Sequence, residues 1–190
     1  HTFLRSELYI THRKYQKHQM YIACLDDDTY ITAKTNSFTI HINDNKNTQN
    51  IEYESMFILC VAATRDTDTE TIKIAIGIGD AKKGRILIYT YENKSLTKVL
   101  DQPGSFVGSL AFSPDGSMLV AGTGTSILKY TFGAHLTVTN FNDGRSAQTS
   151  AVAFSPDGSM LATGDGEKTT IYDINTNAQI QQWDHEKRVT

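Results

Sequence analysis

Two glycines stand where a phosphate-binding loop could lie. Gly79 and Gly84 follow an apolar run and have four residues between them, which is the spacing of a nucleotide-binding loop. Arg85 and Ile86 stand where that loop needs Lys and then Ser or Thr, and a strand pattern follows where it needs a helix. The stretch therefore favours a hairpin loop over a phosphate site.

Acidic residues, histidines and nucleophiles offer little more for catalysis. Asp66, Asp68 and Glu70 alternate like the first ligands of a calcium loop, but the Gly and the distant Glu that complete such a loop are missing. The six histidines show no metal-ligand spacing, and no nucleophile, His and acid arrangement stands out. We therefore expect a protein that is not an enzyme and that has no cofactor and no metal.

Charge, the length of the apolar runs and the cysteines indicate in which compartment the protein lies and which classes of partner it binds. The 190 residues include 18 basic and 21 acidic side chains, so no broad electrostatic attraction draws the chain to nucleic acid or anionic lipid. The longest apolar runs, such as 56–63, are far shorter than the roughly 20 residues of a membrane-spanning helix. Cys24 and Cys60 lie in apolar strand-like runs, which indicates two buried thiols in a reducing compartment. We expect an intracellular, cytoplasmic protein with no nucleic-acid partner and no membrane span.

One nine-residue phrase occurs twice. "AFSPDGSML" spans 111–119 and returns 42 residues later at 153–161. In each copy Pro presets the second turn position, Asp tolerates the third and Gly closes the turn, so the phrase reads as strand, turn, strand. The turn positions are Pro114, Asp115, Gly116, Pro156, Asp157 and Gly158.

A second register extends the repeat towards the N-terminus. Tyr89, Tyr130 and Tyr172 each lie near the end of a strand pattern and are 41 and 42 residues apart. Each unit contains four strand-like runs, apolar on both faces, with second strands rich in Ala and Gly. Four-stranded sheets stacked radially meet these demands. The sequence therefore predicts an all-β protein, an incomplete β-propeller of about four blades, each a four-stranded antiparallel sheet.

The repeat register divides the chain into segments that all belong to one propeller domain. The segments are 1–18, a connector or the remnant of a preceding blade; 19–54, a divergent blade whose fourth strand is "NIEYE" at 50–54; 55–101, 102–142 and 143–184, three further blades; and 185–190, the start of another. Basic residues concentrate within 12–18. They suit either contact with an acidic partner or a solvated connector.

The phrases "LAFSPDGSMLVAG" and "VAFSPDGSMLATG", with the strand ends "IYT", "KYT" and "IYD", resemble the WD-repeat family. In that family Trp-Asp ends the third strand, where this chain has its three tyrosines, and the one literal Trp-Asp, at 183–184, ends a fourth strand instead. His185 matches the histidine of the family's Gly-His pair. The resemblance implies that Thr163, Asp165 and Tyr172 are a partial copy of its hydrogen-bonded set.

The resemblance also implies a function. WD-repeat propellers mostly act as non-enzymatic scaffolds for protein–protein interactions within multiprotein assemblies, and they commonly have about seven blades, so missing blades or a partner chain would close the ring. Other readings stay open. They are a propeller enzyme or small-molecule binder using the central channel, a purely structural subunit of a large complex, and an actin-interacting WD-repeat protein.

Strand alternation predicts one candidate partner face. Loops that join second to third strands, and fourth strands to the next first strand, share a face, and the "SPDG" turns lie on the other. The candidate partner-binding residues are Asp80, Lys82, Lys83, Arg85, Phe106, Asn142, Arg145, Glu167 and Lys168. Exposed Phe and Arg anchor many interfaces, although ordinary loop residues have the same composition.

Overall fold

The computed structural model contains strands and no helix in the residues that it describes. These residues are 20–26, 28–34, 37–42, 45–50, 57–66, 69–80, 83–93, 95–124, 126–141, 149–165 and 167–185. The basic segment at 12–18 and the segment 186–190 lie outside them. Four sheets of four antiparallel strands each make up the structure, with the strands of every sheet in chain order from one edge to the other.

The strands follow one another as four consecutive units. The first sheet has β1 (Met20–Cys24), β2 (Thr29–Lys34), β3 (Ser37–Ile42) and β4 (Asn45–Asn50), and the second has β5 (Phe57–Arg65), β6 (Ile72–Gly79), β7 (Gly84–Glu92) and β8 (Ser95–Gly104). The third has β9 (Val107–Phe112), β10 (Met118–Thr123), β11 (Ser126–Thr131) and β12 (Thr137–Phe141), and the fourth has β13 (Ala151–Phe154), β14 (Met160–Gly164), β15 (Lys168–Asp173) and β16 (Gln179–Asp184).

The sheets stack face to face because their middle strands are apolar on both sides. Along β7, Leu87 packs towards the first sheet, whereas Ile86 and Ile88 pack towards the third. Successive side chains of a strand point to opposite faces, so one run fills two interfaces. The first strands β1, β5, β9 and β13 contact one another in succession, which makes them the inner strands. The predicted all-β, incomplete β-propeller is confirmed.

The three tyrosines of the repeat occupy one equivalent position. Tyr89, Tyr130 and Tyr172 are buried near the end of the third strand of their sheets, and each packs on the preceding sheet. Tyr89 lies with its ring centroid 5.1 Å from that of Phe38. The other two belong to the apolar clusters that join the second to the third sheet and the third to the fourth. They fix the spacing between blades, which is the task of a large buried side chain.

The two "SPDG" turns have the same hydrogen bonds. Ser113 Oγ donates to Asp115 Oδ1 at 2.6 Å and Met118 N donates to Ser113 Oγ at 2.8 Å. In the second copy the corresponding distances, within Ser155, Asp157 and Met160, are 2.6 and 2.9 Å. The turn glycines, Gly116 and Gly158, have φ of 66° and 72°, a region that glycine enters without steric cost. The sequence therefore specifies both turns locally.

These turns make stability dependent on pH. Hydrogen bonds from Ser155, then from Ser159, lower the pKa of Asp157 to about 2, and Ser113 lowers the pKa of Asp115 in the same way. A carboxyl whose pKa is depressed by folding stabilises the native state above its unfolded pKa, and that contribution is lost as pH falls through its folded pKa.

We expect the free energy of unfolding to fall between about pH 4 and about pH 2. Urea denaturation across that range is the measurement. The double variant Asp115→Asn, Asp157→Asn should be less stable at neutral pH and should lose less stability on acidification. If the stability of the variant fell as steeply with pH as that of the wild type, other carboxyl groups would be the cause of the acid sensitivity.

The first and fourth sheets each leave one face without a neighbouring sheet in the described part of the chain. Ala111 and Met118 of the third sheet pack against the fourth. Their counterparts 42 residues later, Ala153 and Met160, are exposed, and Trp183 is 44% exposed. An apolar face that is covered in one repeat and open in the next is what an incomplete propeller presents at its end.

Two local predictions are wrong. The fourth strand of the first sheet is Asn45–Asn50 rather than 50–54, because an outermost strand needs no apolar side chains. Residues 51–54 lie outside the described residues, and the residue boundaries assigned to the blades stay predictions. Cys24 is exposed rather than buried, because the alternation of β1 turns its neighbour Ala23 into the core.

Candidate functional site

One end of the sheets carries the connections between blades, and we call it the loop face. Gly124 N donates to Phe106 O at 2.9 Å, and Thr149 N donates to Gly124 O at 3.0 Å. Ser150 N then donates to Gly164 O at 2.8 Å. The bond between Thr149 and Gly124 crosses from the third blade to the fourth, and the other two extend the β9–β10 and β13–β14 pairings. Backbone hydrogen bonds therefore hold the loop face in place at the third and fourth blades.

Two turns on the loop face repeat the same structure. Asp80 Oδ1 accepts a hydrogen bond from Lys83 N at 2.8 Å, and Asp165 Oδ1 accepts one from Lys168 N at 2.8 Å. In both turns the Asp N donates back to the Lys carbonyl, at 2.9 and 3.2 Å. The second and fourth blades thus place an Asp at the first position of the turn and a Lys at the fourth. A carboxylate that accepts a backbone bond fixes the turn, and both Lys side chains are exposed.

The fourth sheet has further polar contacts at this face. His185 N donates to Glu167 O at 2.6 Å, and His185 Nε2 lies 2.7 Å from Thr169 Oγ1. Lys168 Nζ is 3.8 Å from Asp184 Oδ1. His185 therefore ties the end of β16 to the turn before β15.

The predicted partner-binding residues fall into three groups. Lys83, Glu167 and Lys168 are exposed on the loop face. Asp80, Arg85 and Phe106 are also there and are half-buried, and their role in partner binding stays a prediction. The remaining three lie outside the described residues: Lys82, Asn142 and Arg145.

The hydrogen-bonded set implied by the resemblance stays a prediction. Asp165 Oδ1 accepts bonds from its own turn, from Glu167 N at 3.0 Å and from Lys168 N. Thr163 Oγ1 donates to Thr170 O at 3.4 Å. Tyr172 is buried against the third sheet. The contacts of Asp165 thus serve the turn.

Long basic side chains link neighbouring blades at the opposite end, the turn face, which carries the "SPDG" turns. Lys73 Nζ donates to Gly116 O at 3.3 Å, and Lys129 Nζ donates to Ile174 O at 3.0 Å. Burial lowers the pKa of Lys129. Arg65 Nη2 lies 3.1 Å from Asp26 Oδ2 of the first sheet. Sequence reasoning missed these links because each joins positions more than 35 residues apart.

The Arg65 contacts also explain the acidic pattern that resembled a calcium loop. Arg65 Nη1 lies 3.2 Å from Glu70 Oε2, and Thr69 N donates to Asp66 Oδ1 at 3.2 Å. Glu70 lines a cleft of about 370 Å³ between the first two sheets. Glu70 therefore serves an ion pair and Asp66 serves a turn. No cluster of three or more His, Cys, Asp or Glu side chains with metal-binding geometry occurs in the described ranges.

A second cleft, of about 250 Å³, opens between the second and third sheets near the loop face. Sequence analysis did not find it, because its walls come from five strands. Its lining residues are Arg85, Ile86, Gln102, Gly104, Ser105, Val107, Thr123, Ser126, Leu128 and Tyr130. Arg85, a predicted partner-binding residue, and Tyr130, a predicted repeat position, belong to it.

Two more observations bear on the kind of protein. Burial raises the pKa of Cys60 to about 12, which leaves its thiol protonated and unreactive at neutral pH. No helix within the described residues is long and apolar enough to cross a membrane.

The family model of the WD domain, G-beta repeat, matches residues 94–130 and 128–172. The matched part of the chain, 94–172, carries WD repeats. The matched WD repeats include both "SPDG" turns and two of the three tyrosines. No curated protein matches the chain. WD repeats generally serve as scaffolds that bind other proteins.

Proposed function

We propose that this WD-repeat chain is a non-enzymatic scaffold that holds partner proteins on its loop face within a multiprotein assembly. The observation that carries the proposal is the loop face, where a backbone bond joins the third and fourth blades and hydrogen-bonded turns of the second and fourth blades present exposed charged side chains. A rigid surface costs little conformational entropy on binding. Charges of both signs on the rim of an interface favour specificity and association rate.

The test compares two double charge reversals. Lys83→Glu with Glu167→Lys changes exposed residues of the loop face, and Lys98→Glu with Glu92→Lys changes exposed residues away from it. Both variants keep the formal net charge of −3, so nonspecific electrostatics are matched. Each chain is immobilised, exposed to cell extract and washed, and the retained proteins are quantified by mass spectrometry.

We expect the loop-face variant to lose a defined set of proteins that the wild type and the control variant retain. Loss of a rim charge typically slows association and alters salt dependence, so the capture is repeated at higher salt. Equal retention by all three chains would argue against the loop face as the binding surface. If the chain chemically converted a molecule that it retained, the alternative of a propeller enzyme would be favoured.

A further inference from the structure

The open face of the fourth sheet repeats a row of side chains that is covered elsewhere in the chain. In the second sheet, Ala62, Ala75 and Ile88 pair across three strands, and all three are buried. Tyr130 of the third sheet packs in the same apolar cluster. The corresponding row of the fourth sheet has the same residue types, and its members are Ala153, Ala162 and Ile171. This row therefore has the composition that receives a tyrosine from a following blade.

The row is uncovered on the fourth sheet in the part of the chain that the structure describes. Ala153 is exposed, and Ala162 and Ile171 are half-buried. Trp183 pairs with Thr169, two positions before Ile171, so it lies on the same face, and it is 44% exposed. A contiguous apolar patch indicates a contact surface. The matching occupant is a sheet that carries a large aromatic side chain on its third strand.

The open face of the first sheet carries an aromatic pair at that position. In the third and fourth sheets, the tyrosine lies on the third strand, in the row next to the turn between the first two strands. The same position of the first sheet is His41, whose ring stacks on that of Tyr30 with centroids 4.3 Å apart. Both side chains point away from the second sheet, because Ile40, next to His41, is buried against it. The three repeat tyrosines are buried between sheets, so among the described blades the first alone presents this position on an open face.

We propose that the first sheet of a second copy of this chain covers the open face of the fourth sheet. The Tyr30 and His41 pair of the second copy then packs on the Ala153, Ala162 and Ile171 row, as Tyr130 packs on the equivalent row of the second sheet. Burial of the two apolar faces drives the association. The packing that joins consecutive blades within the chain thus continues between chains.

The contact joins two different faces head to tail, so its symmetry decides the size of the assembly. Head-to-tail contacts form a ring where the rotation between copies closes. Two copies related by half a turn place eight blades around one axis, with two identical interfaces. Eight blades lie within the range that β-propellers usually have. We therefore expect a closed dimer.

The register between neighbouring first strands predicts which residues meet in this dimer. Val152 N donates to Ser109 Oγ at 3.2 Å, which aligns β13 with β9. Both strands run from the loop face to the turn face, so two residues further along Phe154 is level with Ala111. Both of these side chains pack against the apolar cluster between the two sheets.

The equivalent pair in the dimer consists of Ala153 and a cysteine of the second copy. Ala153 is the counterpart of Ala111, and Cys24, which ends β1 and pairs with Tyr30, is the counterpart of Phe154. Cys24 is exposed. A disulfide requires its two Cα atoms to lie within about 7 Å. A cysteine at position 153 therefore tests the register directly.

The first experiment is size-exclusion chromatography with light scattering on the full chain. We expect a mass of about 42 kDa, twice the 21.1 kDa of one chain. Ala153→Glu would bury an unpaired charge in the interface, although the residue is exposed in a single chain, so this variant should have the monomer mass and keep its β-sheet circular dichroism. Gln182→Glu, on the other face of the same sheet, is the matched control and should stay a dimer.

The second experiment is mild oxidation of Ala153→Cys, followed by gel electrophoresis without reductant. We expect a cross-linked dimer that disappears when Cys24→Ser is added, because the bond joins the two different faces. Gln182→Cys is exposed but lies off the interface, so it should remain a single chain. Tyr30→Ala changes the opposite face of the contact and should also give the monomer mass. If Ala153→Glu failed to fold, Tyr30→Ala and the cross-link would decide.

Three results would overturn the proposal. The first is a wild-type chain that stays a folded monomer up to the highest soluble concentration. The second is a dimer whose mass is unchanged in both Ala153→Glu and Tyr30→Ala, since another surface would then hold it together. The third is a ladder of cross-linked species larger than the dimer, which would mean that the head-to-tail contact does not close into a ring of eight blades.

Discussion

Replacing Gly84 by alanine is expected to lower the free energy of unfolding by about 2–4 kcal/mol. The new Cβ would overlap the carbonyl oxygen of Ser105, a backbone atom in the connection between the second and third blades. Backbone cannot move aside as a flexible side chain does. The strain therefore falls on the contact between Gly84 and the connection from the second blade to the third. Urea denaturation followed by circular dichroism measures the loss.

The matched control is the residue directly opposite. Gly104 pairs with Gly84 across β7 and β8, and a Cβ added there meets no heavy atom within 4 Å. Gly104→Ala should change stability by less than about 1 kcal/mol, and a small gain would reflect a less flexible unfolded chain. Equal losses in the two variants would mean that the blades do not approach each other closely at Ser105.

The second large effect is expected at Tyr130. Its side chain is fully buried among residues of the second and third sheets, including Ile86, Ile88 and Leu119. Truncation to alanine leaves a cavity between blades, so Tyr130→Ala should cost about 3–5 kcal/mol. Chemical denaturation gives the value, and the same change is expected to loosen the packing of the third blade on the second.

Tyr130→Phe is the conservative comparison for the alanine variant. Because Tyr130 Oη has no partner in the described residues, removing the oxygen should leave stability unchanged or raise it slightly. A loss of more than about 1 kcal/mol in the phenylalanine variant would show that the hydroxyl has a stabilising partner. A small cost for Tyr130→Ala would contradict the packing of the blades on their third-strand tyrosines.

The sequence predicted the features that are specified by residues close to one another along the chain. Each "SPDG" turn closes through bonds within five positions, from Ser113 to Met118 and from Ser155 to Met160, so the phrase alone specifies it. The tyrosine register could be predicted because each repeat places a large buried residue at the same position of its third strand. Strand alternation predicts that the loop of Asp80 and the loop of Lys168 lie on one face, and their role in partner binding stays a prediction.

Features that depend on distant residues were missed. Arg65 reaches Asp26, and Lys129 reaches Ile174, across blade boundaries, and no local pattern marks either pair. The cleft lined by Tyr130 and Gly104 assembles from strands of two sheets, so only the packed structure shows it. The fourth strand of the first sheet was misplaced because outer strands lack the apolar pattern used to find strands.

The most direct test of the scaffold account is hydrogen–deuterium exchange on the chain bound to a protein recovered by the capture experiment. Peptides that cover 80–85, 105–109 and 165–168 should exchange more slowly in the complex than in the free chain, because a partner would cover the loop face. Peptides that cover the turns at 113–117 and 155–159 should be unchanged. Protection confined to the turn face, with the loop face unaffected, would contradict the account.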